Sequence, residues 1–308
     1  MRPEKALDGA VLRANAAAFA ALGAPVAAVV KHDGYGWGAR TLARELAALR
    51  PATDKPVRLL ADAPPSRLRR VLDLGGIPNV SSREALAEAA AEATARRGLT
   101  VRVGVLDAAG WGAIRAEDAG AFAAALAGTG LSVELWTHLV SETRAQAILD
   151  AFLAARLAFE AAGVRVVSVD AASTAAARRG LAFDRLRVGI GLFGARLGSS
   201  VDTECAVRVV APLVRRFGPG ETGWAGYGDV PVPADRSVAV LRCGYGDGFP
   251  QALAGAADIL SVGMQYTARV MHDGVDPRLL VGASFDLDRM VARARITPHA
   301  LVVGLAGR

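Results

Sequence analysis

The sequence predicts an α/β fold, with an N-terminal (β/α) barrel followed by a smaller domain made mostly of β-strands. Through about the first 195 residues, short β-branched runs alternate with stretches rich in Ala, Leu, Arg and Glu. This alternation is typical of βα units around a parallel sheet. From about residue 200, β-like runs follow one another across turns rich in Gly, Pro and Asp. We therefore place a barrel domain at residues 1–199 and a β domain at residues 200–308.

The elements of the barrel follow from the spacing of apolar residues. Its predicted strands are short apolar runs: Pro25–Lys31, Val57–Ala63, Ile77–Ser81, Thr100–Leu106, Leu131–Leu139, Val164–Ser173 and Leu186–Phe193. Its predicted helices carry apolar residues at i, i+3 and i+4: Ala39–Leu49, Pro65–Leu74, Ser82–Arg97, Ala116–Ala127, Glu142–Ala162 and a short one from Thr174. Ser82 and Ser141 are expected to cap their helices.

In the second domain, helical periodicity is nearly absent, and strands are predicted instead. These are Cys205–Arg216, Ser237–Cys243, Tyr266–Met271 and Leu279–Val281.

Composition excludes several classes of protein. The net charge is +6, but the arginines are scattered beside Glu and Asp, so we expect solvated helix faces and no nucleic-acid binding. No apolar run approaches the ~20 residues that span a bilayer, so no membrane association is expected. No apolar signal region follows Met1, which favours a cytoplasmic protein. Cys205 and Cys243 are isolated, so we predict buried thiols and no metal site.

Lys31 is the first candidate for chemistry. The chain has 36 basic residues, of which only Lys5, Lys31 and Lys55 are lysines. Lys31 closes the apolar run that begins at Pro25. A guanidinium stays protonated and cannot attack a carbonyl, whereas a lysine amine can. A lysine at this position therefore indicates a nucleophile.

Further polar groups fall at the ends of predicted strands. They are Lys31 with Tyr35, His138, Ser173 and the Gly189-Ile190 turn. Because the sites of (β/α) barrels lie at the carboxyl ends of the strands, we expect these residues to form one site.

Four motifs, in order along the chain, carry a resemblance to the alanine racemase family, the barrel class (fold-type III) of pyridoxal-phosphate enzymes. Val29-Val-Lys-His-Asp-Gly-Tyr-Gly-Trp-Gly38 resembles the family's V-V-K-A-D-A-Y-G-H-G, and Leu135-Trp-Thr-His138 resembles its T-H-F motif. Asp184-Arg-Leu-Arg-Val-Gly-Ile-Gly-Leu-Phe-Gly194 is similar to D-x-x-R-P-G-I-x-L-Y-G, and Arg242-Cys-Gly-Tyr-Gly-Asp-Gly-Phe-Pro250 contains a variant of G-Y-A-D-G-Y-P.

The resemblance implies an amino-acid racemase with two acid/base groups. Lys31 would form the Schiff base with pyridoxal 5'-phosphate and exchange a proton with the substrate Cα. Tyr245 would act on the opposite face, in the site of the partner subunit of a homodimer.

The resemblance also implies the residues around the cofactor. Arg187 would face the pyridine nitrogen; a fixed cation there disfavours protonation of that nitrogen and so suppresses transamination. His138 would pack by the ring and link to Arg187. The implied phosphate contacts are Tyr35, Ser173, Gly189 and Ile190, with His299 nearby, and the implied contacts of the substrate carboxylate are His272 and Asp273. For His272 and His299, an ordinary surface or loop histidine is the alternative.

Two departures from the family pattern bear on the substrate and the fold. Ala113 stands where the family has the arginine that grips the substrate carboxylate, and Gly104 stands where it has the lysine that orients that arginine; Arg115 is the candidate replacement. One strand and helix of the family pattern are also missing before Val57, so the barrel is expected to lack one βα unit. Three functions stay open: a racemase for alanine or a specialised amino acid, another pyridoxal-phosphate reaction (aldol-type cleavage, elimination or decarboxylation), and a non-catalytic carrier of the cofactor.

Overall fold

The computed structural model describes residues 2–47, 57–105, 112–139, 144–171, 173–179, 183–226 and 229–307. The chain forms two compact units, each of which is built from segments that are not continuous in sequence. Unit 1 consists of Met1–Phe19, Ala28–Ala52 and Val188–Arg308, and unit 2 consists of Ala20–Ala27 and Thr53–Arg187. The domain boundary predicted between residues 199 and 200 stays a prediction.

Unit 2 contains a parallel sheet whose strands agree with the sequence prediction to within a few residues. In spatial order they are Arg58–Asp62, Ile77–Asn79, Thr100–Val105, Ser132–Trp136 and Arg165–Asp170, with the two-residue strand Ala113–Ile114 beside Thr100–Val105. The register sets Gly104 beside Trp136, and Trp136 beside Asp170.

The helices of unit 2 cover the apolar side chains of this sheet. They are Pro65–Asp73, Arg83–Ala95, Ala119–Leu126 and Ala145–Ala161, with 3-10 turns at Ala116–Asp118 and Ala176–Arg179. Phe152 and Phe159 are fully buried against the strands. The predicted cap at Ser82 is confirmed, because its side chain accepts a hydrogen bond from the Ala85 amide at 3.1 Å. Ser141 lies outside the described residues.

The first and last predicted barrel strands are shorter than expected. They pair with each other as Val26–Ala28 and Leu186–Val188. The prediction that a strand runs on to Lys31 is wrong, since a tight turn begins at Lys31. The prediction that a strand reaches Phe193 is also wrong: Gly189 leaves the extended conformation (φ −115°, ψ −88°), and Ile190–Phe193 is a 3-10 helix.

The strands of unit 1 are antiparallel and include one from the N-terminus. Glu4–Leu7 pairs with Val207–Val210, which also pairs with Leu279–Val281. A second sheet has the order Leu213–Phe217, Val238–Leu241, Thr267–Val270 and Ile259–Val262, and a ribbon joins Trp224–Ala225 to Val230–Pro231. The single strand predicted over Cys205–Arg216 is therefore two strands. They are separated by Ala211-Pro212, where proline has no amide hydrogen for the ladder.

Unit 1 also contains helices, two of them in the stretch for which only strands were predicted. The helices are Gly9–Ala20, Ala39–Ala47, Leu287–Ala294 and Pro298–Ala306, together with the turn Lys31–Tyr35. The last two helices were missed because each is only two turns long, but their N-caps are visible in the sequence. Asp286 accepts from the Arg289 amide, and Thr297 accepts from the Ala300 amide. Among the described residues, no helix combines the length and apolarity needed to cross a membrane.

Candidate active site

Lys31 stands at the head of a turn with an unusual backbone. His32, Asp33, Gly34 and Tyr35 all have positive φ, between 49° and 64°. For residues other than glycine this left-handed conformation costs roughly 1–2 kcal/mol each, so it persists only where the surroundings impose it. Such strain is concentrated at functional sites. The Lys31 side chain is exposed.

Contacts within unit 1 hold this turn. The Asp33 carbonyl accepts a hydrogen bond from the Gly38 amide at 2.9 Å, and its carboxylate accepts one from the Ala39 amide at 2.8 Å. The Trp37 indole donates to the Val302 carbonyl at 3.1 Å. Because these contacts fix the turn from both sides, they fix the backbone from which Lys31 projects.

Tyr35, at the end of the turn, is buried between aromatic rings and a glycine. Its ring lies edge-on to Phe193 at 5.1 Å between centroids and 5.9 Å from the His299 ring. A Cβ built on Gly189 would lie 2.0 Å from the Tyr35 hydroxyl oxygen. Only glycine therefore fits at position 189, and the hydroxyl lies against bare backbone. Burial raises the pKa of Tyr35, so the hydroxyl stays protonated.

His299 shares this part of unit 1 with Lys31. Burial, and then the nearby Lys31 charge, lower the pKa of His299 below its ordinary value. The structure thus brings together Lys31, Tyr35, Gly189 and His299. Trp37, which stands where the family motif has histidine, follows the turn and contacts Val302.

Ile190 is buried and opens the 3-10 helix that follows Gly189. The Leu192 amide in this helix donates to the Gly189 carbonyl at 3.0 Å. Contact of Gly189 and Ile190 with the cofactor phosphate stays a prediction.

Arg187, in unit 2, is buried among charged groups. Its Nε lies 2.7 Å from an Asp170 carboxylate oxygen without aligning for a hydrogen bond, and Nη2 donates to the Thr137 carbonyl. The guanidinium lies 5.1 Å from the centre of the Trp136 ring. Burial, the largest cause, lowers the pKa of Arg187 to about 10, and the charges of Arg102 and Arg185 act in the same direction while Asp170 opposes them. Arg187 is therefore a cation at neutral pH.

Arg187 belongs to a larger buried ion-pair cluster that the sequence analysis missed. Arg102 Nη2 lies 2.9 Å from Asp170, and Arg185 Nη1 lies 2.8 Å from Glu134. The sequence did contain a signal: Arg102 and Glu134 are charged residues inside mostly apolar strands, and Asp170 ends a third strand. A charge at such a position is buried only when it is paired.

His138 follows Glu134 in the sequence, and Ser173 follows Asp170; both side chains are half-buried. The Thr137 amide, next to His138, donates to the Asp170 carbonyl at 3.0 Å, and the Ser173 carbonyl accepts from Ala177 at 3.0 Å. Their roles toward the cofactor stay predictions.

Tyr245 is exposed over 41% of its surface on a 3-10 turn of unit 1. Its amide donates to the Gly263 carbonyl at 2.9 Å, and the Lys5 ammonium donates to the Asp247 carbonyl at the end of the turn. Backbone hydrogen bonds and Lys5 hold the turn, and the Tyr245 side chain is partly exposed.

The three residues expected at the substrate carboxylate are all exposed. Arg115 pairs with Glu117, and His272 Nε2 lies 3.8 Å from Asp258; Asp273 follows it. Their roles stay predictions. Residues 106–111, which lie between Gly104 and Ala113, are outside the described residues.

Comparison with known proteins places the chain in a family. The family model for the N-terminal domain of alanine racemase matches residues 7–197. The chain belongs to the alanine racemase family. Its resemblance to that family, inferred from four motifs, is thereby confirmed.

Curated alanine racemases share part of the sequence. That of Desulfovibrio desulfuricans is 29% identical over 273 residues, which cover 77% of this chain and 72% of that protein. That of Acidithiobacillus ferrooxidans is 34% identical over 90 residues, 28% of this chain and 24% of its own.

Solved alanine racemases share the fold. The enzyme of Acinetobacter baumannii has a TM-score of 0.80 at 17% identity, over 100% of this chain and 98% of its own. That of Bartonella henselae, solved with covalently bound pyridoxal phosphate, has a TM-score of 0.72 at 17% identity, over 99% and 96%. The predicted fold class, an N-terminal barrel with a C-terminal β domain, is confirmed, and the alanine racemase family is a pyridoxal-phosphate family.

Proposed function

We propose that this protein is a pyridoxal-phosphate-dependent amino-acid racemase or epimerase. Lys31 and Tyr245 would exchange protons with the substrate Cα from opposite faces. The single observation that carries the proposal is the turn Lys31–Tyr35, which positions a lysine backbone beside the packed pair of Tyr35 and Gly189. Family membership supports it.

The residues present fit the cofactor. Position 189 has no room for a side chain because the buried Tyr35 hydroxyl, a hydrogen-bond donor, lies against its backbone. Lys31 would hold the cofactor covalently, with Tyr35, Ser173, Gly189, Ile190 and His299 around the phosphate and His138 and Arg187 by the ring. When bound, pyridoxal phosphate supplies an electron sink that makes the substrate Cα proton acidic.

Charge supports these roles. The lowered pKa of His299 keeps it neutral at neutral pH, so it adds no second positive charge beside Lys31. Arg187 stays charged and is fixed by Asp170 and the Thr137 carbonyl, as expected for a cation that suppresses transamination.

The first experiment identifies the reaction. Purified protein supplied with pyridoxal phosphate is incubated in deuterated water with a panel of single-enantiomer amino acids. Appearance of the opposite enantiomer, with deuterium at Cα and an intact skeleton, is expected. Release of an aldehyde, ammonia or carbon dioxide as the main outcome would instead assign a lyase or decarboxylase. Cofactor binding without any turnover would assign a carrier.

The panel includes large as well as small amino acids, because the carboxylate clamp is altered. A Cβ on Gly104 would lie 2.6 Å from the Trp136 ring and 3.0 Å from Ala113 Cβ, so the orienting lysine of the family has no space. This supports a substrate whose carboxylate is bound by residues other than the arginine and lysine of the family pattern.

Lys31 is tested by substitution. Lys31→Arg keeps the charge but cannot form the covalent link, so the visible absorbance of bound cofactor and the activity should both be lost. Lys31→Ala should behave alike and regain part of its activity with added methylamine. Retention of turnover by Lys31→Arg would refute the assignment.

Tyr245 is proposed to act in the site of the partner subunit of a homodimer, which accords with its exposure in unit 1. Tyr245→Phe should bind cofactor normally and lose racemisation, whereas Tyr266→Phe, also exposed, should remain active. Mixing inactive Lys31→Ala and Tyr245→Phe subunits should restore up to about a quarter of wild-type activity, because each mixed dimer has one intact site. No recovery upon demonstrated subunit exchange would place Tyr245 in its own chain's site.

A further inference from the structure

Asp170 is the residue on which the inference rests. Its side chain is fully buried at the end of the strand Arg165–Asp170. One carboxylate oxygen lies 2.7 Å from Arg187 Nε, and the other lies 2.9 Å from Arg102 Nη2 and 3.6 Å from Arg185 Nη1. A single carboxylate therefore faces three guanidinium groups.

The charge balance of the cluster makes this carboxylate indispensable to Arg187. The other acid, Glu134, contacts Arg58 and Arg185 closely and Arg102 at 3.9 Å. Among the described residues, the acidic partner recorded for Arg187 is Asp170. Without it, Arg187 would face the positive charges of Arg102 and Arg185 in a buried environment.

The remaining contacts of Arg187 cannot substitute for a counter-ion. The Thr137 carbonyl accepts from Nη2, and the Trp136 ring lies beside the guanidinium. Both orient the group, but neither carries a negative charge.

We propose that Asp170 is a positioning residue for the reaction, which fixes the place and the charge of Arg187. The inference rests on the proposed function of Arg187 beside the cofactor ring. A cation held there keeps turnover on the racemisation route. If Arg187 is held less firmly, more turnovers end in transamination, in which the amino acid and pyridoxal phosphate become the keto acid and pyridoxamine phosphate.

The test compares Asp170→Asn with Glu134→Gln. Both remove one buried negative charge from the same cluster, but only Asp170 contacts Arg187. In the loaded enzyme, Asp170→Asn should raise the fraction of turnovers that yield pyridoxamine phosphate at least about tenfold, and Glu134→Gln should leave it unchanged. Asp170→Glu, which restores the charge, should return the fraction toward the wild-type value.

A second readout needs neither cofactor nor activity. In the apoprotein, the rate at which phenylglyoxal modifies Arg187 is followed by peptide mass spectrometry. Asp170→Asn should raise this rate about tenfold or more, while Glu134→Gln and Asp170→Glu should not. If Asp170→Asn does not fold, the double variant Asp170→Asn/Arg102→Met is measured instead. It removes one negative and one positive charge from the cluster, and Arg187 still loses its counter-ion.

The outcomes separate the two proposals. Equal effects of Asp170→Asn and Glu134→Gln on Arg187 modification would overturn the role of Asp170. A wild-type protein without racemase activity would overturn the proposed function, yet the apoprotein measurement would still decide whether Asp170 holds Arg187.

Discussion

Gly104 lies directly against the indole of Trp136. A Cβ on Gly104 would be 2.6 and 2.7 Å from two atoms of that ring. The indole is buried and its nitrogen donates to the Asn79 side chain at 2.7 Å, so it cannot move aside without losing this hydrogen bond. The two residues are a matched pair, in which the larger fills the space that the smaller leaves.

Gly104→Ala should therefore destabilise the protein. Overpacking of a tight interior costs about 1–3 kcal/mol, measurable as a lower free energy of unfolding in urea. Gly120→Ala is the control: this helical glycine has nothing within 4 Å of its would-be Cβ, and alanine there should be neutral or stabilising by up to about 1 kcal/mol. Equal stabilities of the two variants would show that the Trp136 ring moves to make room for the added Cβ.

Tyr35→Phe should weaken cofactor binding with little effect on folding. The ring contacts with Phe193 and His299 remain, and only the hydroxyl beside Gly189 is lost. Loss of one hydrogen bond to a charged group costs about 1.5–3 kcal/mol, so the Kd for pyridoxal phosphate should rise at least about tenfold. Absorbance titration of the apoprotein measures it, with Tyr266→Phe as the control. An unchanged Kd would remove Tyr35 from the phosphate contacts.

His299 should make the apoprotein less stable in mild acid. Its pKa is lowered in the folded state, so between that pKa and its ordinary value the unfolded chain binds more protons. Stability is therefore lost as the pH falls below about 6.5. Urea unfolding at several pH values should show a smaller loss of stability for His299→Gln than for wild type.

Lys31→Met provides a direct check on this coupling. Since the Lys31 charge contributes to lowering the pKa of His299, its removal should raise that pKa in an NMR titration of the apoprotein. A titration unchanged from wild type would mean that the two groups do not interact.

Glu134→Gln should be strongly destabilising at neutral pH. Burial alone would raise the pKa of Glu134, but hydrogen bonds from Arg58 and Arg185 lower it below its ordinary value. Removing one partner of a buried ion pair costs about 3–5 kcal/mol. The lowered pKa means that ionised Glu134 stabilises the folded state above its ordinary pKa, and that this stability is lost as the pH falls through the pKa of the folded state. The difference in free energy of unfolding between Glu134→Gln and wild type should therefore become smaller in acid. Glu160→Gln, in an exposed pair with Arg156, should cost under about 1 kcal/mol.

The sequence by itself determined the fold class, the family and most of the barrel elements. Strands such as Thr100–Val105 and helices such as Arg83–Ala95 were predicted to within a few residues because their apolar periodicity is local and unbroken. Lys31, Tyr35 and Gly189 were predicted as site residues from two of the motifs, and the structure places Tyr35 against Gly189. Their roles toward the cofactor stay predictions.

Only the tertiary structure decided where these elements end and which side chains meet. The strand before Lys31 stops at Ala28 because the following left-handed turn is held by contacts from Ala39 and, far along the chain, Val302. The N-terminal strand Glu4–Leu7 exists through its pairing with Val207–Val210, about 200 residues away. Asp170 and Arg187 likewise form an ion pair only in the folded chain. Such contacts depend on burial and on long-range pairing, which local sequence does not encode.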